Sequence, residues 1–410
     1  MKILCVPFGS QGDVDPLFWI ADGLARKGHE PVFLLTPFYS FLAEERGFEW
    51  HPLGTEEEFA SLLSNPLLWD RFRGPEVLMG EVAKLMERLG TATFEIAEGA
   101  DLMVTGSLAV SARSVAEKLQ IPSVTVHLQP VVFRSLENTP VFVPELAWLS
   151  RSPRWLRQFL YKLVDWRIWG EGKKSLNEFR RSCGLRPIDD FYAEAINGCD
   201  GVAALFPEWF APKEVDWPPQ LKLFGFPVET VERRPLPESL NRFLEDGKPP
   251  VLFTHGSANI HTDSFHRRAV AVCKELDQRC LLVGLKRPEI DLPNHVFHID
   301  RARFEDLFPL CSVVVHHGGI GTLARALQAG VPQVIVPRSY DQPDNGIRIE
   351  RLGVGKMVRY SQLNSVKFME TIRTVLEGRT FRENCDSVRV RIRNSQVRES
   401  LCTWMETFAK

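Results

Sequence analysis

The segment Val313–Asn345, VVVHHGGIGTLARALQAGVPQVIVPRSYDQPDN, is the part of this chain of 410 residues from which its fold can best be predicted. It opens with a short apolar run typical of a buried parallel strand, followed by two histidines and a glycine-rich turn. A helical pattern of leucines and alanines then runs from about Thr322 to Gly330, where the glycine and Pro332 indicate its end. A second apolar strand, Val334–Val336, leads into a polar loop. The segment therefore predicts a β-α-β unit of the kind that builds parallel sheets.

The glycine-rich turn of this unit has the properties of an anion-binding site. It follows the carboxyl end of a strand and precedes a helix, so free backbone N–H groups and the positive end of the helix dipole meet there. Histidine and threonine side chains can add hydrogen-bond donors. The residues predicted to hold a diphosphate here are His317, Gly318, Gly319, Gly321 and Thr322.

The polar loop after the second strand is expected to open on the same edge of the sheet. It carries Asp341 and Gln342, and a carboxylate beside an amide suits the hydroxyl groups of a sugar better than it suits phosphate. A phosphate site and a hydroxyl site one β-α-β unit apart predict a nucleotide sugar as the ligand.

The same glycines allow another interpretation. Gly319–Ala324 fits the pattern G-x-G-x-x-A, and Asp341 follows about twenty residues later, as in dinucleotide-binding folds. This alternative predicts an NAD(P)-dependent oxidoreductase, although dinucleotide binding does not require the preceding pair of histidines. A non-catalytic protein that binds a nucleotide sugar is a third hypothesis.

Three motifs of the segment resemble the donor signature of the GT-B glycosyltransferases. They are His317–Thr322, the run ALQAGVP at 326–332 and Asp341–Asn345. This group, the UDP-glycosyltransferase superfamily, includes bacterial antibiotic and macrolide glycosyltransferases. The resemblance implies an α/β GT-B fold, in which two Rossmann-like domains face each other across a cleft and a C-terminal helix crosses back to the N-terminal domain. The implied division is an acceptor-binding domain at 1–228, a linker at 229–248, a donor-binding domain at 249–390 and the returning helix at 391–410.

A second glycine-rich turn, Gly9–Pro16, lies between the predicted strand Ile3–Val6 and a helix that ends near Arg26. It closely resembles the GS-x-GDV-x-P turn of bacterial family members, whose aspartate activates the acceptor hydroxyl, and this places the role on Asp13. A desolvated carboxylate is a stronger base than an exposed one. The alternative role for Asp13 is to cap the following helix.

The phrase Asp13-Val-Asp15 also spells D-x-D, a metal-binding signature in the other large glycosyltransferase fold. Here the pair lies in a glycine-rich turn before Pro16 and a helix. No metal is predicted on this ground.

Further donor contacts follow from the resemblance. In the family, the turn after the first strand of the second domain, here Pro250–Thr254, touches the diphosphate, which assigns that contact to Gly256 and Ser257. Relatives stack an aromatic ring on the nucleobase from the loop before the donor motif. Arg301 stands at the expected position, and Arg301 and Phe304 are the candidates for this contact. UDP-sugars and dTDP-sugars both remain possible donors.

The acceptor is predicted to be small and hydrophobic or lipid-like. Over nearly its whole length, the sequence resembles the bacterial rhamnosyltransferases of rhamnolipid synthesis, which glycosylate a fatty hydroxyl group. Candidates for the acceptor pocket are Gly12, Trp69 and His127. The aromatic and basic helix predicted at 154–169 either borders this pocket, touches a membrane surface or simply packs on the domain. The last strand of the first domain is predicted at Gly201–Phe206.

Charge, cysteine spacing and hydropathy argue against nucleic acid, a metal site and a membrane span. The net charge of −2 argues against nucleic acid. The eight cysteines lack metal-ligand spacing, and they indicate reduced thiols in a cytoplasmic protein. No apolar run is long enough to span a bilayer, and no signal peptide is recognisable, although peripheral membrane contact stays possible. Together with these exclusions, the family resemblance implies an inverting hexosyltransferase that needs a nucleotide sugar as co-substrate and no metal or other cofactor. It leaves the oligomeric state open.

Overall fold

A computed structural model describes residues 1–228, 234–255, 263–285, 287 and 289–409 of the protein. The protein divides into two compact units. The first unit comprises Met1–Pro140, Leu146–Pro227 and Gln396–Lys410. The second unit comprises Val141–Glu145 and Val228–Ser395.

The first unit is built on a parallel sheet covered by helices. Its strands are β1 (Lys2–Val6), β2 (Glu30–Leu35), β3 (Glu49–Pro52), β4 (Leu102–Gly106), β5 (Ser123–His127), β6 (Gly201–Ala204) and β7 (Leu221–Leu223). Its first seven α-helices are α1 (Gln11–Arg26), α2 (Ser40–Glu44), α3 (Glu56–Ser64), α4 (Gly74–Ile96), α5 (Val110–Leu119), α6 (Arg154–Val164) and α7 (Gly170–Ser182). The strand order is β3-β2-β1-β4-β5-β6-β7, and every pair is parallel.

The second unit repeats this plan with six strands. They are β8 (Val251–Thr254), β9 (Cys280–Val283), β10 (Val296–Ile299), β11 (Val313–His316), β12 (Gln333–Ile335) and β13 (Gly355–Met357). Its helices are α8 (Glu238–Glu245), α9 (Asp263–Glu275), α10 (Phe304–Leu307), α11 (Ile320–Ala329), α12 (Gln342–Arg351), α13 (Val366–Glu377) and α14 (Arg379–Arg393). The order is β10-β9-β8-β11-β12-β13, again all parallel. The last helix, α15 (Val397–Glu406), belongs to the first unit.

In each sheet the order in which strands are added reverses once. This place, the switch point of the sheet, positions the candidate site. In the first unit the chain moves outward from β1 to β2 and β3, and it later returns to lay β4 on the other side of β1. In the second unit β8 and β11 have the same relation. Loops at the carboxyl ends of two such strands diverge and leave a crevice between them, which is where ligands bind in open α/β sheets.

The central strands are buried on both faces, as helix-covered parallel sheets require. All four residues of β8 and all four of β11 are buried. One core layer of the second unit packs Phe253, Phe265, Val315 and Phe368 together. The first unit has its own core around Leu4, with Met103, Ala112 and Phe179 among its members. Each unit therefore has a hydrophobic core of its own.

The prediction of two Rossmann-like, parallel-sheet units is confirmed. The prediction that Gly201–Phe206 is the last strand of the first unit was wrong, because β7 pairs with β6 beyond it. A strand of three residues is too short to leave a periodic pattern in the sequence. Residues 229–233 of the predicted linker lie outside the described residues. The rest of that segment contains helix α8, whose Leu240 is buried in a core of the second unit.

The donor segment itself differs from its prediction in two places. Helix α11 begins at Ile320, two residues before the predicted Thr322, because Gly319 takes the N-cap position. The predicted polar loop that carries Asp341 and Gln342 is instead the start of α12, with Asp341 as N-cap and Pro343 in the first turn. Aspartate and proline are favoured at these helix positions, so a polar loop was the wrong interpretation. No helix in the described ranges combines the length and the apolarity needed to cross a bilayer.

Candidate active site

The turn between β11 and α11 exposes an uncapped helix N-terminus at the switch point of the second unit. The N-cap residue Gly319 has no side chain, and the first backbone bond back to it comes from Leu323 N–H, 3.0 Å from its carbonyl oxygen. The three N–H groups between these residues, at 320–322, therefore have no carbonyl of their own helix to donate to. The helix dipole adds positive potential at the same place. This is the geometry of an anion-binding site.

Two glycines are needed to build this turn. Gly318 has a φ of +95°, and a Cβ there would lie 2.7 Å from Cγ2 of Ile335. Gly319 has ordinary backbone angles, but a Cβ on it would lie 2.4 Å from Nε2 of His317. The first glycine is therefore required by backbone conformation and the second by the position of the imidazole ring.

The two adjacent histidines have different roles. His316 is fully buried: its Nδ1 accepts from Gly318 N–H at 3.1 Å, and its Nε2 donates to Oε1 of Gln333 at 2.8 Å. His317 is only partly buried, and its Nδ1 has no hydrogen-bond partner among the described residues. Burial, followed by the neighbouring His316, lowers the pKa of His317 to about 3, so the imidazole is neutral. His316 thus supports the turn, whereas His317 has a free nitrogen for a ligand.

The start of α12 is tied directly to the glycine turn. The side-chain amide of Asn345 donates to the carbonyl oxygen of Gly318 at 2.9 Å and to Oδ2 of Asp341 at 2.7 Å. Oε1 of Gln342 accepts from the backbone N–H groups of Arg338 and Ser339 at 2.8 and 3.3 Å. The structure therefore brings the predicted phosphate and sugar residues together, and Asn345, which sequence analysis did not assign, connects them.

Several buried polar atoms at this edge lack a partner among the described residues. They are both ring nitrogens of His255, Nδ1 of His317, Oγ of Ser339 and Oδ1 of Asn345. Each buried group of this kind costs about 1 to 3 kcal/mol when it stays unpaired. Because these residues follow β8, β11 and β12 at one edge of the sheet, a polar ligand there would satisfy several of them at once.

His255 is, after Asn345, the second residue at this edge that sequence analysis did not assign. It directly follows β8, is buried, and packs its ring against Phe265 with centroids 4.0 Å apart. Burial, and then His317, lowers its pKa well below the usual range. The sequence did contain a pattern that could have identified His255, because β8 and β11 are each followed by a His-Gly pair. The predicted diphosphate contacts Gly256 and Ser257 lie outside the described residues.

The two candidates for the nucleobase lie between β10 and α10. Arg301 is exposed and forms no ion pair with the described residues. Phe304 is the first residue of α10, and its ring stacks on Phe308 with centroids 4.5 Å apart. One face of Phe304 is therefore used in packing, whereas the guanidinium group of Arg301 is available.

In the first unit, Asp13 lies in the first turn of α1, which follows β1 after a short turn that contains Gly9. Its Oδ2 accepts from the backbone N–H of Ser10 at 2.9 Å and from the Ser10 hydroxyl at 2.8 Å. A Cβ on Gly9, whose φ is +131°, would lie 2.6 Å from the same oxygen. The carboxylate thus lies over the glycine turn and also takes part in the helix cap, as the alternative in the sequence analysis expected.

Burial raises the pKa of Asp13 above its usual value of 3.8, while hydrogen bonds from Ser10 and from the side chain of Gln129 oppose this effect. A carboxylate with a raised pKa is a better proton acceptor near neutral pH than an exposed one. Gln129 follows β5, so the loops after β1 and β5 meet at Asp13. Sequence analysis had no signal for Gln129, because the two residues are far apart in the sequence.

The D-x-D pattern does not form a joint carboxylate site in this unit. Asp13 and Asp15 both belong to α1, and side chains two residues apart on a helix do not face each other. Oδ2 of Asp15 lies 3.4 Å from the side-chain amide of Gln11.

The predicted acceptor residues have three different environments. Gly12 is exposed in the first turn of α1, and Trp69 is partly buried in the short 3-10 helix Pro66–Trp69 that precedes α4. His127 is fully buried at the end of β5, with Nδ1 2.8 Å from the hydroxyl of Ser107. Burial, and then the charge of Arg113, lowers the pKa of His127 to about 3. His127 is therefore an interior residue and does not line an open surface.

Comparison with known proteins identifies the family to which the chain is similar. The pattern of the erythromycin biosynthesis protein CIII-like C-terminal domain matches residues 270–397. O-mycaminosyltylonolide 6-deoxyallosyltransferase of Streptomyces fradiae is 31% identical over 402 residues, which cover 92% of this chain and 90% of that relative.

Solved structures share the fold at low sequence identity. The glycotransferase of kitacinnamycin superposes with a TM-score of 0.78 at 18% identity, over 100% of this chain and 99% of the other. Spinosyn rhamnosyltransferase SpnG, solved with thymidine diphosphate, superposes with a TM-score of 0.70 at 17% identity, over 99% of this chain and 100% of the other.

Fold, site and relatives together define a class of enzyme, the glycosyltransferases that use nucleotide sugars. The protein belongs to the UDP-glycosyltransferase superfamily of GT-B glycosyltransferases, among relatives of the macrolide and antibiotic type. The oxidoreductase alternative is not supported, since these relatives are named as glycosyltransferases.

Proposed function

We propose that the enzyme transfers a hexose, with inversion at the anomeric carbon, from a UDP-sugar or dTDP-sugar to a hydroxyl group of a small hydrophobic or lipid-like acceptor. The observation that carries this proposal is the uncapped N-terminus of α11 beside the neutral His317. Such a site binds a diphosphate through backbone dipoles and hydrogen bonds. Thymidine diphosphate in the SpnG structure supports a nucleotide diphosphate as the ligand.

In this proposal the residues of the second unit hold the donor. The N–H groups at 320–322 and the free nitrogen of His317 bind the diphosphate, with further contacts from the turn that carries Gly256 and Ser257. Asp341 and Gln342 hold hydroxyl groups of the sugar, and Arg301 contacts the nucleobase. The amides stabilise negative charge most strongly on the departing diphosphate, which is the condition for catalysis rather than mere binding.

Asp13 of the first unit is proposed to be the general base. Its carboxylate takes the proton of the acceptor hydroxyl, and the oxygen forms a bond to the anomeric carbon. The bond from that carbon to the diphosphate breaks, and its electron pair leaves with the nucleotide. Because the new bond forms opposite the leaving group, the configuration inverts. General-base catalysis of this kind contributes about 10²- to 10⁴-fold.

The acceptor class rests on resemblance rather than on geometry. The sequence resembles the rhamnolipid rhamnosyltransferases, and it is similar to a relative whose name gives O-mycaminosyltylonolide as the acceptor. The first resemblance supports a hydrophobic or lipid-like acceptor that carries a hydroxyl group. We further propose that the reaction takes place in the cytoplasm and needs no metal or other cofactor.

A donor panel tests the proposal. The purified enzyme is incubated with UDP-sugars and dTDP-sugars and with a hydroxylated fatty acid or a macrolide aglycone, and the anomeric configuration of the product is read by NMR. We expect a product of inverted configuration from at least one donor, with or without a chelator. A retained configuration would contradict the mechanism, and nucleotide binding without turnover of any pair would favour the non-catalytic alternative.

A further inference from the structure

Helix α6 and the π-helical turn that follows it, Asp165–Trp169, carry an apolar stripe on the outside of the first unit. Four large side chains spaced by four, four and three residues form one face of this helix. They are Trp155, Phe159, Leu163 and Trp166, which we call the α6 stripe. Trp155, Phe159 and Trp166 keep 68%, 58% and 76% of their surface exposed. Isolated exposed apolar residues are ordinary, but a contiguous aromatic stripe marks an interaction surface.

The opposite side of α6 is attached to the unit by polar contacts. The hydroxyl of Tyr161 donates to the carbonyl oxygen of Ser135 at 3.1 Å, and Arg157 donates to that of Ser150 at 3.1 Å. Asp165 forms an ion pair with Arg134. A helix of a water-exposed domain normally turns its apolar face inward. In α6, Leu156 and Leu160 are half-buried, whereas the larger aromatic side chains of the stripe stay exposed, which indicates that something apolar covers the stripe.

The charges around the stripe are basic. Lys162 lies within it and Arg151 precedes it, and neither forms an ion pair with a carboxylate among the described residues. Arg154 and Arg167 flank the stripe and pair with Glu137 and Glu76. Asp165 is turned toward Arg134, as described above. The surface is thus positive in a protein whose net charge is −2.

We propose that the α6 stripe docks the first unit on an anionic membrane surface. Tryptophan and phenylalanine rings favour the headgroup boundary of a bilayer, and unpaired basic side chains beside them favour anionic lipids. The stripe is about 16 Å long, enough for four side chains to enter one leaflet together. A second copy of the protein fits less well, because two-fold pairing would bring the same basic residues against each other. This inference does not depend on the transfer reaction.

Vesicle binding tests the inference directly. Full-length protein is sedimented with vesicles of phosphatidylcholine mixed with phosphatidylglycerol, and separately with vesicles of phosphatidylcholine alone. We expect binding to the mixed vesicles that weakens in high salt and is much lower on the neutral ones. Phe159→Ser should weaken binding about tenfold. Lys162→Glu should weaken it roughly thirtyfold, since it replaces a positive charge with a negative one.

Two matched variants keep the test specific. Phe94→Ser changes a phenylalanine of α4 that is 46% exposed, and Lys367→Glu reverses an exposed charge on α13; both should bind vesicles like the unchanged protein. Thermal unfolding checks that every variant folds. Failure of the unchanged protein to bind mixed vesicles would overturn the inference, as would equal binding by Phe159→Ser. A dimer that dissociates in Phe159→Ser, without vesicle binding, would assign the stripe to a second copy instead.

Discussion

Asp13 has a structural role at the start of α1 and is also the proposed general base. One of its carboxylate oxygens accepts two hydrogen bonds from Ser10, which holds the side chain in place over Gly9. Burial nevertheless raises its pKa, so the ionised form that a general base needs is disfavoured by its surroundings. Activity and stability therefore make opposite demands on this residue.

The first prediction concerns the stability of Asp13→Asn. A raised carboxyl pKa means that the folded protein binds more protons than the unfolded chain, so stability falls as pH rises from the usual value of 3.8 through the raised value. Asparagine carries no such charge and keeps an oxygen that can accept from Ser10. We expect the Tm of Asp13→Asn to exceed that of the unchanged enzyme at neutral pH, by a margin that shrinks toward pH 3.8. A margin that grows on acidification would contradict this account.

The second prediction uses the adjacent histidines as a matched pair. His316→Ala leaves the buried N–H of Gly318 and Oε1 of Gln333 without the partners they have now and opens a cavity, so it should lower the free energy of unfolding by about 2 to 4 kcal/mol. His317→Ala removes a side chain with a free nitrogen and should change stability little. It should weaken nucleotide binding roughly tenfold to a hundredfold, the value of one hydrogen bond to a charged group. Denaturant unfolding and calorimetric titration would separate the two effects, and similar results for both variants would refute the assigned roles.

At the scale of elements, the pattern of strands and glycine-rich turns predicted both sheets and both switch-point turns. Long apolar runs and helix-ending glycines such as Gly330 are local signals, so they are readable from one sequence. The three-residue strands β7 and β13 have no such signal, and α12 was mistaken for a loop because its first turn, Gln342–Asn345, contains a proline and no apolar periodicity. Asn345 and Gln129 were not found because only folding brings them to their partners.

The third prediction compares two glycines at the start of α11. Gly319→Ala places a methyl group against the imidazole of His317 and should displace it, which would weaken nucleotide binding by about tenfold or more. Gly321→Ala adds a methyl group 3.2 Å from Nη1 of Arg325, a side chain that can move, and it should raise helix stability by up to about 1 kcal/mol. Binding isotherms and thermal unfolding of both variants check this. Unchanged binding in Gly319→Ala would show that the ring position is not required.

At the scale of the whole molecule, two similar units have different roles in the proposed function. Each has its own parallel sheet and its own switch point, yet the unpartnered polar atoms described above gather at the edge of the second sheet that carries α11 and α12. The base candidate lies in the first unit. The proposed division is consistent with the different side chains of the two glycine-rich turns, which occupy similar positions in their units.

The fourth prediction follows from this division. With thymidine diphosphate at about a hundred times its Kd, hydrogen exchange of the amides at 318–322 should slow by up to about a hundredfold, the limit set by ligand linkage. The amides of α1 around Asp13 should exchange as before, because the nucleotide binds the other unit. Protection confined to α1 would place the nucleotide site in the first unit and contradict the assignment.

The most direct measurement is turnover and nucleotide binding in Asp13→Asn, with Asp15→Asn on the same helix as the matched control. We predict that Asp13→Asn loses at least about a hundredfold in kcat while its Kd for thymidine or uridine diphosphate stays unchanged, and that Asp15→Asn keeps both. Transfer at the normal rate by Asp13→Asn would contradict the claim that this carboxylate activates the acceptor.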